Sequence, residues 1–160
     1  MKTLAFCILA IILISCKGET GPTGPQWNAN VKTRVYNIQA SDYSLNSGIY
    51  TTQKNCDLIT QDIVSTGTVL VYHKMTDTWF QYPMTLTYDF TKGYTYSFYF
   101  AYALNQISFL VIDSSPYTSS LPNGAIGSFK VIVISGNLGM IKYIDKSNYE
   151  NVKSALNLTD

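Results

Sequence analysis

The chain has 160 residues, with 11 Lys and Arg against 10 Asp and Glu, and a formal net charge of +1. A nearly neutral chain lacks the basic surface that nucleic acid requires, so nucleic acid is excluded as a partner. Charged residues make up 13% of the sequence, about half the fraction of a typical soluble domain, whereas tyrosine occurs 13 times. Aromatic and hydroxyl-bearing side chains favour strands, and the length suits one domain, so we expect a single, mostly β domain.

The N-terminus has the pattern of a lipoprotein signal peptide. Lys2 precedes an apolar run over residues 4–14, which is shorter than the roughly 20 residues of a membrane-spanning helix. Leu-Ile-Ser at residues 13–15 then precedes Cys16, as in a lipobox, where the cysteine accepts a diacylglycerol after cleavage. We therefore predict that residues 1–15 are a signal peptide and that Cys16 is the lipidation site that anchors the protein to the membrane.

A collagen-like spacer follows the cysteine. Residues 18–26 consist of three Gly-X-Y triplets, too few to hold a collagen triple helix together. We interpret residues 16–26 as the lipidated cysteine and a semi-extended spacer, which at about 3.1 Å per residue spans roughly 30 Å. Residues 27–160 then form the domain.

This order of features resembles a group of uncharacterised outer-membrane lipoproteins of the Bacteroidota, which carry a lipobox, Gly-Pro-rich triplets and a Tyr/Thr-rich β-domain. Residues 67–72, 79–83 and 129–134 are similar to recurring segments of such proteins. The resemblance implies an outer-membrane site, on the periplasmic or the cell-surface face, and it implies no settled activity.

Apolar and polar residues alternate along most of the domain, as in strands. Residues 69–71 are apolar on both faces, which predicts a central strand, and Pro83 marks a sheet edge or a break. Residues 58–65 fit either a turn of helix or a crossing segment. The regular turns favour an antiparallel β-sandwich, immunoglobulin-like in the broad sense, with a β-barrel as the alternative. We predict strands over residues 31–39, 49–52, 68–75, 79–82, 84–90, 94–103, 107–113 and 126–134.

The hydrophobic period changes near the C-terminus. Ser147 and Glu150 have the spacing of a capping box, and Tyr149, Val152 and Leu156 follow at helical spacing. We therefore predict a helix from about residue 148 to residue 157, docked on the sheet by its apolar stripe.

Five aromatic residues alternate along one predicted strand: Tyr94, Tyr96, Phe98, Phe100 and Tyr102. Such a row is either half of the sandwich core or a platform on which sugar rings stack. The opposite face of the strand is smaller and more polar, which favours the core. Under the platform interpretation, Tyr94, Tyr96 and Tyr102 are the candidate ligand-facing aromatics.

The sequence offers little catalytic chemistry. His73 is the only histidine and lies among apolar strand residues, so we interpret it as structural. Cys56 is the only cysteine outside the N-terminal 16 residues, so we expect it to be unpaired and buried. No metal-binding, phosphate-binding or nucleophile motif is present in the sequence, and we assign no catalytic residue, metal or cofactor.

These features predict a lipid-anchored envelope protein that is not an enzyme. We expect a monomer whose β-sandwich binds a glycan, a peptide or an envelope protein, or takes part in an assembly. The alternative is a carbohydrate-active hydrolase that uses paired carboxylates.

Overall fold

The alternating segments form strands in the computed structural model, which describes residues 30–116, 120–136 and 141–158. The predicted signal peptide, Cys16 and the Gly-X-Y spacer lie outside the described residues. The strands are β1 (Val31–Ile38), β2 (Ser44–Asn46), β3 (Ile49–Asn55), β4 (Thr68–Met75), β5 (Thr78–Tyr82), β6 (Met84–Asp89), β7 (Tyr94–Ala103), β8 (Gln106–Asp113) and β9 (Gly127–Ile134). The helices are α1 (Gln61–Thr66) and α2 (Tyr149–Ala155), with 3₁₀ turns at Ala40–Asp42, Asn123–Ala125 and Ile141–Tyr143.

The strands form two antiparallel sheets that face each other. Sheet A has the order β1-β9-β4-β5, and sheet B has the order β2-β3-β8-β7-β6. The chain passes between the sheets four times, so each sheet is built from distant parts of the sequence. The predicted antiparallel sandwich with a C-terminal helix is confirmed.

Aromatic rings fill the space between the sheets. Phe98 of sheet B has no exposed surface, and Phe109 lies 4.9 Å from Phe129 of sheet A between ring centroids. Tyr82 packs on Phe129 at 5.6 Å, and its hydroxyl donates to the carbonyl oxygen of Gly124. Burying each large apolar side chain contributes about 1.5–3 kcal/mol, so this layer is the main stabilising element of the sandwich.

Sheet A is buried on its outer face as well. Val152 of α2 and Leu156, the C-cap residue that follows it, belong to a second apolar cluster, which includes Leu70, Ile132 and Ile134 of the sheet. A strand buried on both faces needs apolar residues without alternation, which explains the continuous apolar runs in β4 and β9. The prediction that β4 is central is confirmed, since it pairs with both β9 and β5.

Residues 58–65, for which the sequence left two alternatives open, include most of the short helix α1. Ile63 of α1 is buried in the core, and the helix ends at Gly67. A Cβ atom at Gly67 would lie 2.7 Å from the Cα atom of Ile63 and 2.9 Å from the carbonyl oxygen of Ile134. Only glycine allows the helix to end this close to sheet A.

Pro83 lies at the corner between the sheets. It follows β5, at the edge of sheet A, and precedes β6, at the edge of sheet B. Proline has no N–H to donate to a ladder, so an edge is where it is tolerated. The prediction of an edge or break at Pro83 is confirmed.

The start of α2 differs from the predicted capping box. The N-cap is Asn148, whose Oδ1 accepts hydrogen bonds from the backbone N–H groups of Glu150 and Asn151 at 3.0 and 3.4 Å. Ser147 instead donates from both its backbone N–H and its hydroxyl to Asp145. The capping box was wrong because an asparagine one residue later is an equally good cap and lies closer to the apolar stripe.

The aromatic row of β7 points into the sandwich. Phe98 is fully buried, and Tyr96 and Phe100 are partly buried against the core. At the strand ends, Tyr94 is half-buried and Tyr102 keeps 38% of its surface exposed. The row is therefore core at its centre and reaches solvent at its ends.

His73 lies between the sheets, stacked on Phe129 at 4.4 Å between ring centroids. Its Nε2–H donates to the carbonyl oxygen of Ile126 at 2.8 Å. Within the described part of the chain, Nδ1 is buried without a hydrogen-bond partner. Burial lowers the pKa of His73 below its ordinary value, and the hydrogen bond to Ile126 opposes this only in part.

We expect Phe98→Ala to lower the free energy of unfolding by roughly 3–5 kcal/mol, because it removes a fully buried ring. The matched control is Thr95→Ala on the outer face of the same strand, which should change stability little. Equilibrium denaturation in urea measures both. Near wild-type stability of Phe98→Ala would contradict the inward orientation of the row.

We expect His73 to make the protein less stable in mild acid. Below pH 6.5 the unfolded chain takes up a proton at His73, whereas the folded chain, in which the pKa is lowered, stays neutral. The contribution of His73 to the free energy of unfolding therefore has its full value above about pH 6.5. It falls as the pH drops, by at most about 1.4 kcal/mol per pH unit. In His73→Gln, urea denaturation between pH 6.5 and 5 should show a weaker pH dependence. Equal pH dependence in both proteins would refute the assignment to His73.

Candidate ligand-binding groove

Helix α2 leaves one end of the outer face of sheet A uncovered. On this end Lys130 pairs with Val35 on one side and with Tyr72 on the other, and Lys74 pairs with Trp79. Because paired residues point to the same face, these side chains all project outward. The floor of a groove of about 680 Å³ is formed by six of the outward side chains on this end: Thr33, Val35, Lys74, Trp79, Ser128 and Lys130.

The walls of the groove come from two separate elements. Asp77 lies in the turn between β4 and β5, beside Trp79 at the start of β5. Glu150 and Lys153 lie three residues apart on the flank of α2 and face the same space. A second depression of about 370 Å³ shares Asp77, Trp79 and Glu150 with the groove, so the indole lies between the two.

A buried lysine holds the groove together. Lys130 is only 6% exposed, and its Nζ donates a hydrogen bond to the hydroxyl of Tyr149 at 2.6 Å. The same Nζ lies 4.7 Å from the ring centroid of Trp79 and 4.8 Å from that of Tyr149. A buried ammonium is tolerated where hydrogen bonds and aromatic faces replace water, as they do here.

Tyr149 is fixed from a second direction as well. Its ring lies 5.2 Å from Tyr72 and 5.5 Å from Trp79 between centroids. The hydroxyl of Tyr72 donates to the carbonyl oxygen of Lys146 at 2.7 Å, and burial raises the pKa of Tyr72 well above its usual value. The groove is therefore rigid at the junction of β5 and α2.

The groove carries charges of both signs. The carboxylates Asp77 and Glu150 line both depressions. Lys74, Lys130 and Lys153 line the larger groove, and among the described residues no lysine lines the smaller depression. The larger groove thus combines three lysines with two carboxylates around the indole of Trp79.

The candidate catalytic groups of the groove are two carboxylates. Asp77 and Glu150 are the carboxylates that a hydrolase would use here, but both are exposed. A glycosidase acid is typically enclosed in an apolar pocket. His73 faces the opposite side of sheet A, between the sheets, and does not line the groove. No group of three or more His, Cys, Asp or Glu side chains suited to a metal occurs in the described residues.

Cys56 does not contribute to the groove. It has no exposed surface and lies in the sandwich core, as the sequence predicted. It also lies against Tyr36, whose pKa burial raises to about 12, with the contact to Cys56 as a smaller cause.

The three tyrosines suggested by the sequence do not come together. Tyr94 and Tyr96 lie at one end of β7 around Tyr88, at 6.2 and 4.3 Å between centroids. Tyr102 lies at the other end, stacked on Phe100. None of the three lines the groove. The burial of Phe98 agrees with the core interpretation of the row, which the sequence favoured over a platform.

The groove residues were missed in the sequence. The available signal was a lysine inside an apolar strand: Lys130 interrupts the run over residues 129–134. In a strand buried on both faces, such a residue needs a specific partner. The partners, Tyr149 and Trp79, could not be identified from the sequence, because they lie 19 and 51 residues away from Lys130.

Neither helix is long and apolar enough to cross a bilayer, and the rest of the described chain holds no helix that is. Comparisons of the chain with protein-family models, with curated proteins and with solved structures give no match. The chemistry of the groove is therefore the basis on which a function is assigned.

Proposed function

We propose that this protein is a lipid-anchored protein of the outer membrane, on its periplasmic or cell-surface face, and that its β-sandwich binds a ligand without catalysis. The observation that supports binding is the groove on the outer face of sheet A. It combines a half-buried indole, three lysines of which Lys130 is fixed by Tyr149, and exposed carboxylates within about 680 Å³. Pockets of roughly 300–1,000 Å³ with a few fixed polar groups are typical of small-ligand sites.

The anchor is supported by the order of features at the N-terminus. Cys16 follows the lipobox pattern, and the Gly-X-Y spacer begins two residues later. A spacer of roughly 30 Å would lift the sandwich off the lipid surface and leave the groove accessible. A glycan or another component of the surrounding envelope is then the ligand that the groove can reach.

Binding is also favoured by the rigidity of the groove. Trp79 and Tyr149 are fixed by ring contacts, and Lys130 is fixed by its hydrogen bond to Tyr149. Side chains that are ordered before the ligand arrives lose little conformational entropy on binding.

A carbohydrate-active hydrolase is the second candidate, because Asp77 and Glu150 line the same groove. A pair of carboxylates in one groove is the minimal set of catalytic groups for glycoside cleavage. Their exposure is the reason that we place binding first.

The anchor predicts that metabolic labelling with an alkyne fatty acid tags the wild-type protein in its native envelope. Cys16→Ala removes the acceptor thiol and should abolish the label. The variant should also leave the membrane fraction. Equal labelling of both proteins would rule out Cys16 as the lipidation site.

The groove predicts that a soluble form, residues 16–160 with Cys16→Ala, retains oligosaccharides released from bacterial envelopes when it is immobilised. The double variant Lys74→Met and Asp77→Asn removes one charge of each sign from the groove and should reduce retained sugar about tenfold. The matched control, Lys92→Met and Asp62→Asn, changes the same residue types elsewhere on the surface.

Equal retention by the groove variant and the control would show that the groove is not the binding site. New reducing ends in the retained sugar, lost in Glu150→Gln, would favour the hydrolase.

A further inference from the structure

We infer that the ligand of the groove is an acidic oligosaccharide, a chain of sugar rings that carries carboxylate groups. This inference rests on the proposed function and specifies its ligand. The carboxylate would meet the lysines, a ring would lie against Trp79, and hydroxyls would donate to Asp77 and Glu150.

The two central strands of the groove floor offer side chains and no free backbone. Strands β9 and β4, which carry Lys130 and Lys74, each pair with a strand on both sides. Their N–H and C=O groups are taken up by the ladders, so an extended peptide cannot add a strand over the middle of the groove, and the edges of sheet A lie at β1 and β5. A ligand that lies over β9 and β4 must be held by side-chain hydrogen bonds and ring contacts, which suits a sugar.

The apolar part of the groove is small and flat. Trp79 is half-buried and borders both depressions, and Val35 is the other large apolar side chain of the groove, 52% exposed. Among the described residues, the groove has no deep apolar pocket to take a leucine or phenylalanine side chain of a peptide anchor. A half-exposed indole instead matches the C–H face of a sugar ring.

The charges indicate that the sugar is acidic. Lys74 and Lys153 line the groove with the buried Lys130, so three lysines face two carboxylates, Asp77 and Glu150, in the same groove. Ammonium groups donate charge-assisted hydrogen bonds to a carboxylate, whereas carboxylates accept from hydroxyls. The excess of one positive charge over the groove fits a single sugar carboxylate, and it is too small for a polyanion such as nucleic acid.

Trp79 allows the inference to be tested directly by fluorescence. The chain has two tryptophans, so the soluble form with Trp27→Phe has Trp79 as its sole tryptophan. It is titrated with trigalacturonate, triguluronate and a hyaluronan tetrasaccharide, with neutral galactotriose and with an acidic pentapeptide. We expect at least one acidic sugar to change Trp79 emission and to bind about tenfold or more tightly than galactotriose.

Charge variants separate recognition of the carboxylate from general binding. Lys74→Met should lower the affinity for the acidic sugar about tenfold and leave the affinity for galactotriose unchanged. Asp77→Asn should lower the affinity for both sugars. Lys92→Met and Asp62→Asn, outside the groove, should change neither. All four positions are exposed, so the variants should fold, and urea denaturation checks this.

Three results would overturn the inference: equal affinity for acidic and neutral sugars, tighter binding of the pentapeptide, or no response to any acidic sugar at millimolar concentration. Each leaves the proposed function to be decided by the retention of envelope sugars, which does not depend on these probes. Failure of the ligand class and failure of the groove are thus distinguishable.

Discussion

The hydrogen bond from Lys130 to Tyr149 is the contact on which the outer half of the molecule depends. An ammonium in the middle of a buried strand is unfavourable unless its partners are in place. Here the partner hydroxyl belongs to the first residue of α2, and Trp79 of β5 adds an aromatic face. One interaction therefore joins three elements, covers the apolar outer face of sheet A and sets the shape of the groove.

The fold was predictable because its causes are local. The alternation in β7 and the doubly apolar run of β4 each show within ten residues which face is buried. The stripe of Tyr149, Val152 and Leu156 likewise identified the docked face of α2, although the cap was placed one residue too early. Periodicity is a property of neighbouring residues, so it can be recognised without knowledge of the tertiary structure.

The groove was not predictable because its causes are not local. Val35, Lys74, Lys130 and Glu150 come from four elements that meet only through the strand order of sheet A and the docking of α2. Strand order across two sheets is not encoded in any single segment. The aromatic row was a misleading guide to a site, since its visible regularity reflects the demands of the core.

The shortness of α2 has a consequence for how the groove behaves in time. A helix of seven residues is not stable alone in water, so α2 exists only while it is docked on sheet A. Undocking by local unfolding removes Glu150 and Lys153 together and erases one wall while the sandwich stays folded. A ligand bound in the groove, as proposed, would add its binding free energy to the docked state alone. Amide hydrogen exchange in α2 would then slow as the groove is filled.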